Sequence, residues 1–282
     1  MARRHIHSES TSRLAIWARR IAGFAFLASI LAIIIVRSGL LEIWPALATF
    51  AGALAMAVIA LLVAFAAFVV IWMEGLAGMG AALTAMAVSL ALLAYPAYLG
   101  MKAARLPWIY DITTDPIDPP RYDALSRLRP RDANPIAYSG LYAAEQQRKA
   151  YPDVGPLATN ATPQAAYDAA LAVVNKRKWR VVDARAPQVG RREGHIEAVA
   201  RTPIMGFRDD ISIRVRAETD GARIDARSSS RYGSFDFGTN ASRVRGLMNE
   251  IEDAIRAQRP ERPPTQPTAK KSTPGKKDQS KK

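Results

Sequence analysis

Three stretches of this chain carry no charged side chain: Ile21–Val36, Ile43–Met73 and Gly75–Met101. Nothing else in the sequence restricts the fold so strongly, because about 20 apolar residues are what a helix needs to cross a hydrocarbon core of about 30 Å. The second and third runs exceed that length. The first holds only 16 residues, and it spans when Arg19, Arg20 and Arg37 extend their stems toward the headgroups. Three transmembrane helices are therefore expected, at about 14–37, 45–73 and 76–101. No small-x-small cleavage site follows Val36, which argues against a removable signal peptide.

The short link at Glu74-Gly75 makes the second and third spans a tight antiparallel hairpin. Ala48/Gly52, Ala60/Ala64 and Gly78/Ala82 stand four residues apart, the spacing that lets helix backbones approach closely in lipid. Neither of these two spans contains an ionisable residue, which speaks against transport or proton conduction. The first 20 residues hold five arginines and one glutamate, which favours an N-terminus on the cytoplasmic side. Three spans then place the rest of the chain outside the cytoplasm. The expected location is the inner membrane, with a periplasmic domain in a double-membraned host. The absence of cysteine fits either compartment.

The formal net charge of +14 is partly local. From Glu261 onward there are seven basic and two acidic residues, in a Pro-, Lys- and Ser-rich tail (259–282) whose composition predicts disorder. No folded basic module with base-stacking aromatics accompanies it, so nucleic acid is not an expected partner. The bilayer is the expected one, with an anionic lipid, a glycan or an envelope protein as further partners.

Residues 102–160 read as a connector with eight prolines. Within it, YDITTDPIDPP (110–120) favours extended backbone that can lie along a sheet edge, and Leu141–Lys149 reads as a short helix. The folded unit expected over 161–258 is α+β, in the order α-β-β-β-β-α, with an antiparallel sheet and helices packed on one face. Thr162-Pro163 marks the first helix start. Strands follow at Trp179–Ala186, His195–Arg201, Ile211–Ala217 and Ala222–Tyr232. Val244, Leu247, Met248, Ile251 and Ile255 form the apolar stripe of the last helix, capped by Thr239 or Asn240.

Asp220-Gly221 is a strong hairpin signal. Taken as the two loop residues, it opposes Glu218 to Arg223, Arg216 to Asp225, Ser212 to Ser229 and Asp210 to Arg231. One rung then sets Arg214 against Arg227, unfavourable unless a negative group lies between them. Arginine forks suit carboxylate or phosphate, and free N–H groups at a helix start favour anions. The expected ligand site is thus Arg214, Arg227 and Arg231 with Ser228, Ser230 and Asn240. Asp209, Asp210, Asp236 and Glu197 are the supporting carboxylates, and the alternative is that these acids simply lock the arginines. His195 beside Glu197 offers a second reading, a hydrolase, but no G-x-S-x-G elbow or cysteine nucleophile accompanies it. No catalytic residue, metal set or cofactor is expected. A third reading is a structural scaffold whose membrane hairpin is the working part.

FRDD (207–210) followed by RSSSRYGSFDFGTNASRVRGL (227–247) resembles the family called domain of unknown function 1499 (DUF1499), and DITTDPIDPP (111–120) looks like an element that often precedes that domain. The resemblance extends over about residues 108–258. Where some members carry a cysteine-containing N-P-C-V segment, this chain reads ANPIAYS (133–139), so no thiol role carries over. The resemblance implies a membrane-linked or envelope domain and no particular activity.

Overall fold

The computed structural model describes residues 10–39, 43–188 and 193–258. The expected tail from 259 to 282 lies outside these. Three long helices come first: α1 (Arg13–Ser38), α2 (Ile43–Glu74) and α3 (Met79–Ala103). All three are long and apolar enough to cross a membrane. They pack along a seam of alanines, Ala18 and Ala22 of α1 against Ala60, Ala64 and Ala85. Ala60 and Ala64 sit in this seam and Ala82 packs in a second cluster with Ala15, Ala67 and Ile71, whereas Ala48 and Gly52 face outward. Ser12 caps α1 by accepting from the Ala15 N–H, and Thr11 bridges to Ala77. The start of α1 therefore lies beside the α2–α3 link, and the other end of the bundle faces the remaining chain.

The folded domain adds β1 (Asp111–Thr113), α4 (Ala124–Leu128), α5 (Gly140–Ala150), β2 (Leu157–Thr159), α6 (Pro163–Lys176), β3 (Arg180–Arg185), β4 (Glu193–Arg201), β5 (Arg208–Glu218), β6 (Gly221–Ser230) and α7 (Thr239–Ala257). The sheet is antiparallel, in the order β1-β6-β5-β4-β3. β2 also pairs with β6, alongside Ala222–Ile224, while β1 takes Arg227–Ser229 further along the same edge. The connector thus supplies two short strands that cover an edge otherwise open to pairing.

α6 and α7 cover one face. Ile196 and Ala198, Ile211, Ile213 and Val215, and Ala222, Ile224 and Ala226 alternate inward against Val174, Val244, Leu247 and Ile251, the period-2 pattern of a half-buried sheet. Thr162 caps α6 as its sequence predicts, accepting from the Ala165 N–H at 3.2 Å. α7 differs. Its N-cap is Gly238, at φ 72°, and the capping acceptor is Asp236, which takes the Gly238 and Asn240 N–H groups at 2.9 and 2.8 Å.

The register of the central hairpin also differs from expectation. Glu218 pairs with Gly221, Arg216 with Arg223, Arg214 with Asp225 and Ser212 with Arg227. The loop residues are Thr219 and Asp220, and Gly221 belongs to the strand. Its φ is 146°, and a Cβ there would sit 2.0 Å from the Thr159 carbonyl oxygen. Glycine is needed at 221 both for this backbone conformation and because β2 passes over it. The like-charge rung is therefore Arg216 opposite Arg223, not Arg214 opposite Arg227.

Candidate functional site

The second face of the sheet is polar, and residues 114–136 cover it. Asp225 accepts from Arg214, Arg216 and Arg223 at 3.2, 2.9 and 3.2 Å. Asp115 accepts from Arg216 and Arg223, and Asp118 from Arg214 and Arg216. The facing Arg216 and Arg223 thus have internal carboxylates between them. Asp115 titrates below the ordinary carboxylate range: burial opposes this, and the Asp118 and Ile117 N–H groups with Arg223 and Arg214 outweigh it.

Arg227 makes a two-pronged pair with Asp111, Nε at 3.0 Å and Nη2 at 2.6 Å, and also donates to the Pro120 and Ile136 carbonyls. Its guanidinium stacks on Tyr122 and Tyr138, 4.6 and 5.7 Å from their ring centres. Burial pushes Asp111 up against the pull of Arg227, and burial raises Tyr138 to about 12. Arg231 donates to Asp210 from Nε and Nη2, and Arg129 reaches the other oxygen of Asp210 at 2.6 Å. Each expected anion-binding arginine is therefore held by a carboxylate of its own chain.

The expected ligand set is also split between the two faces. Ser228, Ser230 and Asn240 lie on the α7 side. There Asn240 accepts from Ser228 Oγ and donates to Ser230 Oγ and the Tyr110 carbonyl. Arg243 binds Asp209 on that side, and burial nevertheless pushes Asp209 up. Burial likewise raises Asp236, while its carboxylate already occupies the N–H groups of the α7 start. The remaining expected acid, Glu197, accepts the Asp123, Ala124 and Leu125 N–H groups at 2.7, 3.1 and 2.7 Å. Burial opposes its ionisation, yet His195 and these three donors hold it down at about 2. Asp111, Asp115, Asp118 and Arg129 were not among the expected site residues. They come from segments without periodicity, and their partners are up to 116 positions away.

Asp123, His195 and Glu197 bring three potential metal-ligating atoms within 4.8 Å of one another. The carboxylates already have other partners: Arg185 donates to Asp123 at 2.6 Å, and its guanidinium stands 4.0 Å from Glu197. A resident cation disfavours a second one at that distance. His195 Nε2 lies 3.0 Å from Glu197 Oε1. Among the described residues no serine hydroxyl is hydrogen-bonded to that ring, whose partner is Glu197.

The domain end that faces the membrane helices is organised differently. Arg37, expected to reach headgroups, instead donates to the Pro203 and Ile204 carbonyls of the β4–β5 loop at 2.6 and 3.0 Å. Arg201 donates to the Arg37 carbonyl. The approach is close at two glycines: a Cβ at Gly206 would lie 2.8 Å from Arg37 Cγ, and one at Gly39 would lie 2.5 Å from Arg208 Nη2. A cavity of about 280 Å³ lies at this junction, between Trp44, Leu47, Tyr95 and Leu99 of α2 and α3 and the domain segments 202–209 and 230–239. A second cavity of about 270 Å³ shares Phe207, Arg208 and Tyr232 with the first. Among the described residues no carboxylate pairs with Arg208. Burial and the neighbouring Arg201, Arg231 and Arg180 push it below its ordinary value. The signal for this junction was present in FRDD, which begins beside Arg208, and in Trp44 and Tyr95 near helix ends.

Three helices long and apolar enough to cross a membrane, and a docked antiparallel sheet with its own terminal helix, define an α+β protein with a candidate membrane anchor. Residues 111–251 match the family described as Protein of unknown function (DUF1499), and the chain belongs to that family. No curated protein matches it.

Proposed function

We propose that this protein is a membrane-tethered, non-catalytic binding module that holds an anionic component of the cell envelope at the membrane-facing end of its domain. The observation that carries this reading is Arg208. It is a half-buried cation without a carboxylate partner among the described residues, flanked by other arginines and open to two cavities. Arg214, Arg227 and Arg231 are held by carboxylates of their own chain, whereas Arg208, which lines both cavities without such a partner among the described residues, is the arginine placed to meet a foreign anion. A guanidinium fork offers such a group paired, directional donors.

The arginine-rich N-terminal segment supports a cytoplasmic N-terminus and hence a domain outside the cytoplasm, in the periplasm of a double-membraned host. Protease added to spheroplasts should cleave the domain, and protection from it would reverse this orientation. For the binding role, the full chain in neutral detergent should bind anionic headgroup compounds, and the binding should weaken with salt. Arg208→Gln should weaken it about tenfold, the cost of one charge-assisted hydrogen bond. An unchanged affinity in that variant would overturn the assignment.

A further inference from the structure

We propose that the occupant is a membrane lipid, with its anionic head on Arg208 and one acyl chain in the cavity between α2, α3 and the domain. This rests on the reading of Arg208 given above and adds the hydrocarbon part.

The argument starts from where the cavity is. Trp44 and Leu47 belong to the first turns of α2, and Leu99 to the last turns of α3. At 1.5 Å per residue these positions lie within roughly two turns of the helix ends, at the boundary between headgroup and hydrocarbon. The wall facing them is apolar as well: Ile204, Met205, Phe207, Phe235 and Phe237 line the domain side. Pro96 lies inside α3 between Tyr95 and Leu99, and it removes one helix hydrogen bond where the cavity forms. The cavity is close to the lower end of ligand-pocket sizes, about 300 Å³, and the adjoining second cavity adds comparable space around Arg208.

The polar ribbon RSSSRYGSFDFGTN supplies the rest of the wall through Ser230, Tyr232, Phe235, Asp236, Phe237 and Thr239. Phe237 has φ 53°, in the left-handed region. A bulky residue is held there only when its surroundings impose it. Here the imposing group is Asp236, whose carboxylate binds the N–H groups on the far side of the bend. The result fixes an aromatic ring in the cavity wall, with Phe235 edge-to-face against Phe237 at 4.6 Å and stacked on Trp108 at 5.4 Å. Asp209 and Asp236 also line this cavity, but Arg243 and the N–H groups at the α7 start already engage their carboxylates, and Asp132 lines the second cavity. An unpaired arginine beside a largely aromatic and aliphatic wall complements one molecule with a charged head and an apolar chain. A free phosphate would leave the interior unused.

The test uses the full chain in neutral detergent, stripped of lipid. Native mass spectrometry then measures retention of phosphatidylglycerol, phosphatidylcholine and glycerol phosphate. Phosphatidylglycerol should bind one per chain, and phosphatidylcholine about tenfold more weakly. Glycerol phosphate should bind more weakly than either. Leu47→Trp and Leu99→Trp, which fill the cavity from different helices, should each cut phosphatidylglycerol retention at least about tenfold, the effect of excluding about two methylenes. Gly52→Trp, on an outward face with open space around it, should change nothing. Undiminished lipid retention in both filling variants overturns the acyl-chain assignment. So does glycerol phosphate competing as well as the lipid, which leaves the Arg208 anion site standing. Equal binding of both lipids, insensitive to Arg208→Gln, overturns the anion site as well.

Discussion

The two faces of the sheet are sealed in opposite ways. On one, α6 and α7 bury alternating aliphatic residues, and the contact is non-directional: Ile213 or Ile224 needs only to be apolar and of about the right volume. On the other, residues 114–136 close over arginines and carboxylates whose positions are set by forked hydrogen bonds, such as Asp111 with Arg227. A buried ion pair adds little over a well-packed apolar pair, but removing one partner strands the other charge. The aliphatic face should therefore degrade gradually under mutation, and the ionic face abruptly.

Asp111→Ala tests this contrast most strongly. It leaves Arg227 buried and unpaired, and thermal or denaturant unfolding of the full chain in detergent should show a loss of about 3–5 kcal/mol. Asp111→Leu combined with Arg227→Met should recover most of that loss. No recovery would mean that the pair stabilises the fold beyond mutual compensation. Next comes Ile224→Ala, with an expected loss of about 2–4 kcal/mol from transfer and cavity terms. A larger loss there than at Asp111 would break the comparison. Asp236→Ala removes the cap of α7 and should cost about 1–2 kcal/mol. Amide exchange should rise first at Gly238 and Asn240.

The last prediction concerns acid unfolding. The Glu197 value is lowered from 4.5 to about 2. Its contribution is therefore fully present above pH 4.5 and is lost as pH falls toward 2. Glu197→Gln should flatten that acid limb of the stability profile. An unchanged acid limb would place the loss elsewhere in the ionic face.

The same contrast explains how much of the fold was legible. Period-2 alternation at Ile211, Ile213 and Val215, the Thr162-Pro163 start and the α7 stripe are local patterns, and each corresponds to an element that is present. The three charge-free runs correspond to three helices for the same reason. The polar face has no such grammar. Arg214 and Arg227 do share it, yet which acid meets which arginine depends on a register set by Gly221 and β2. It depends equally on a proline-rich segment whose path has no periodicity. Asp220-Gly221 reads as the loop in the sequence, but the loop is Thr219-Asp220, and Gly221 is a strand position with positive φ that lies against Thr159. The candidate site was less legible still, since Arg208, Trp44 and Leu99 meet only when the domain docks on its own helices.

The passage from α3 to β1 is also short. Ala103 and Asp111 bound it, and the eight residue-to-residue steps between them extend at most about 28 Å. The sheet edge that follows is leashed within that distance of the bilayer. With the three helices in a bilayer, so short a tether would keep the domain beside its own anchor and out of reach of anything held far from the lipid surface.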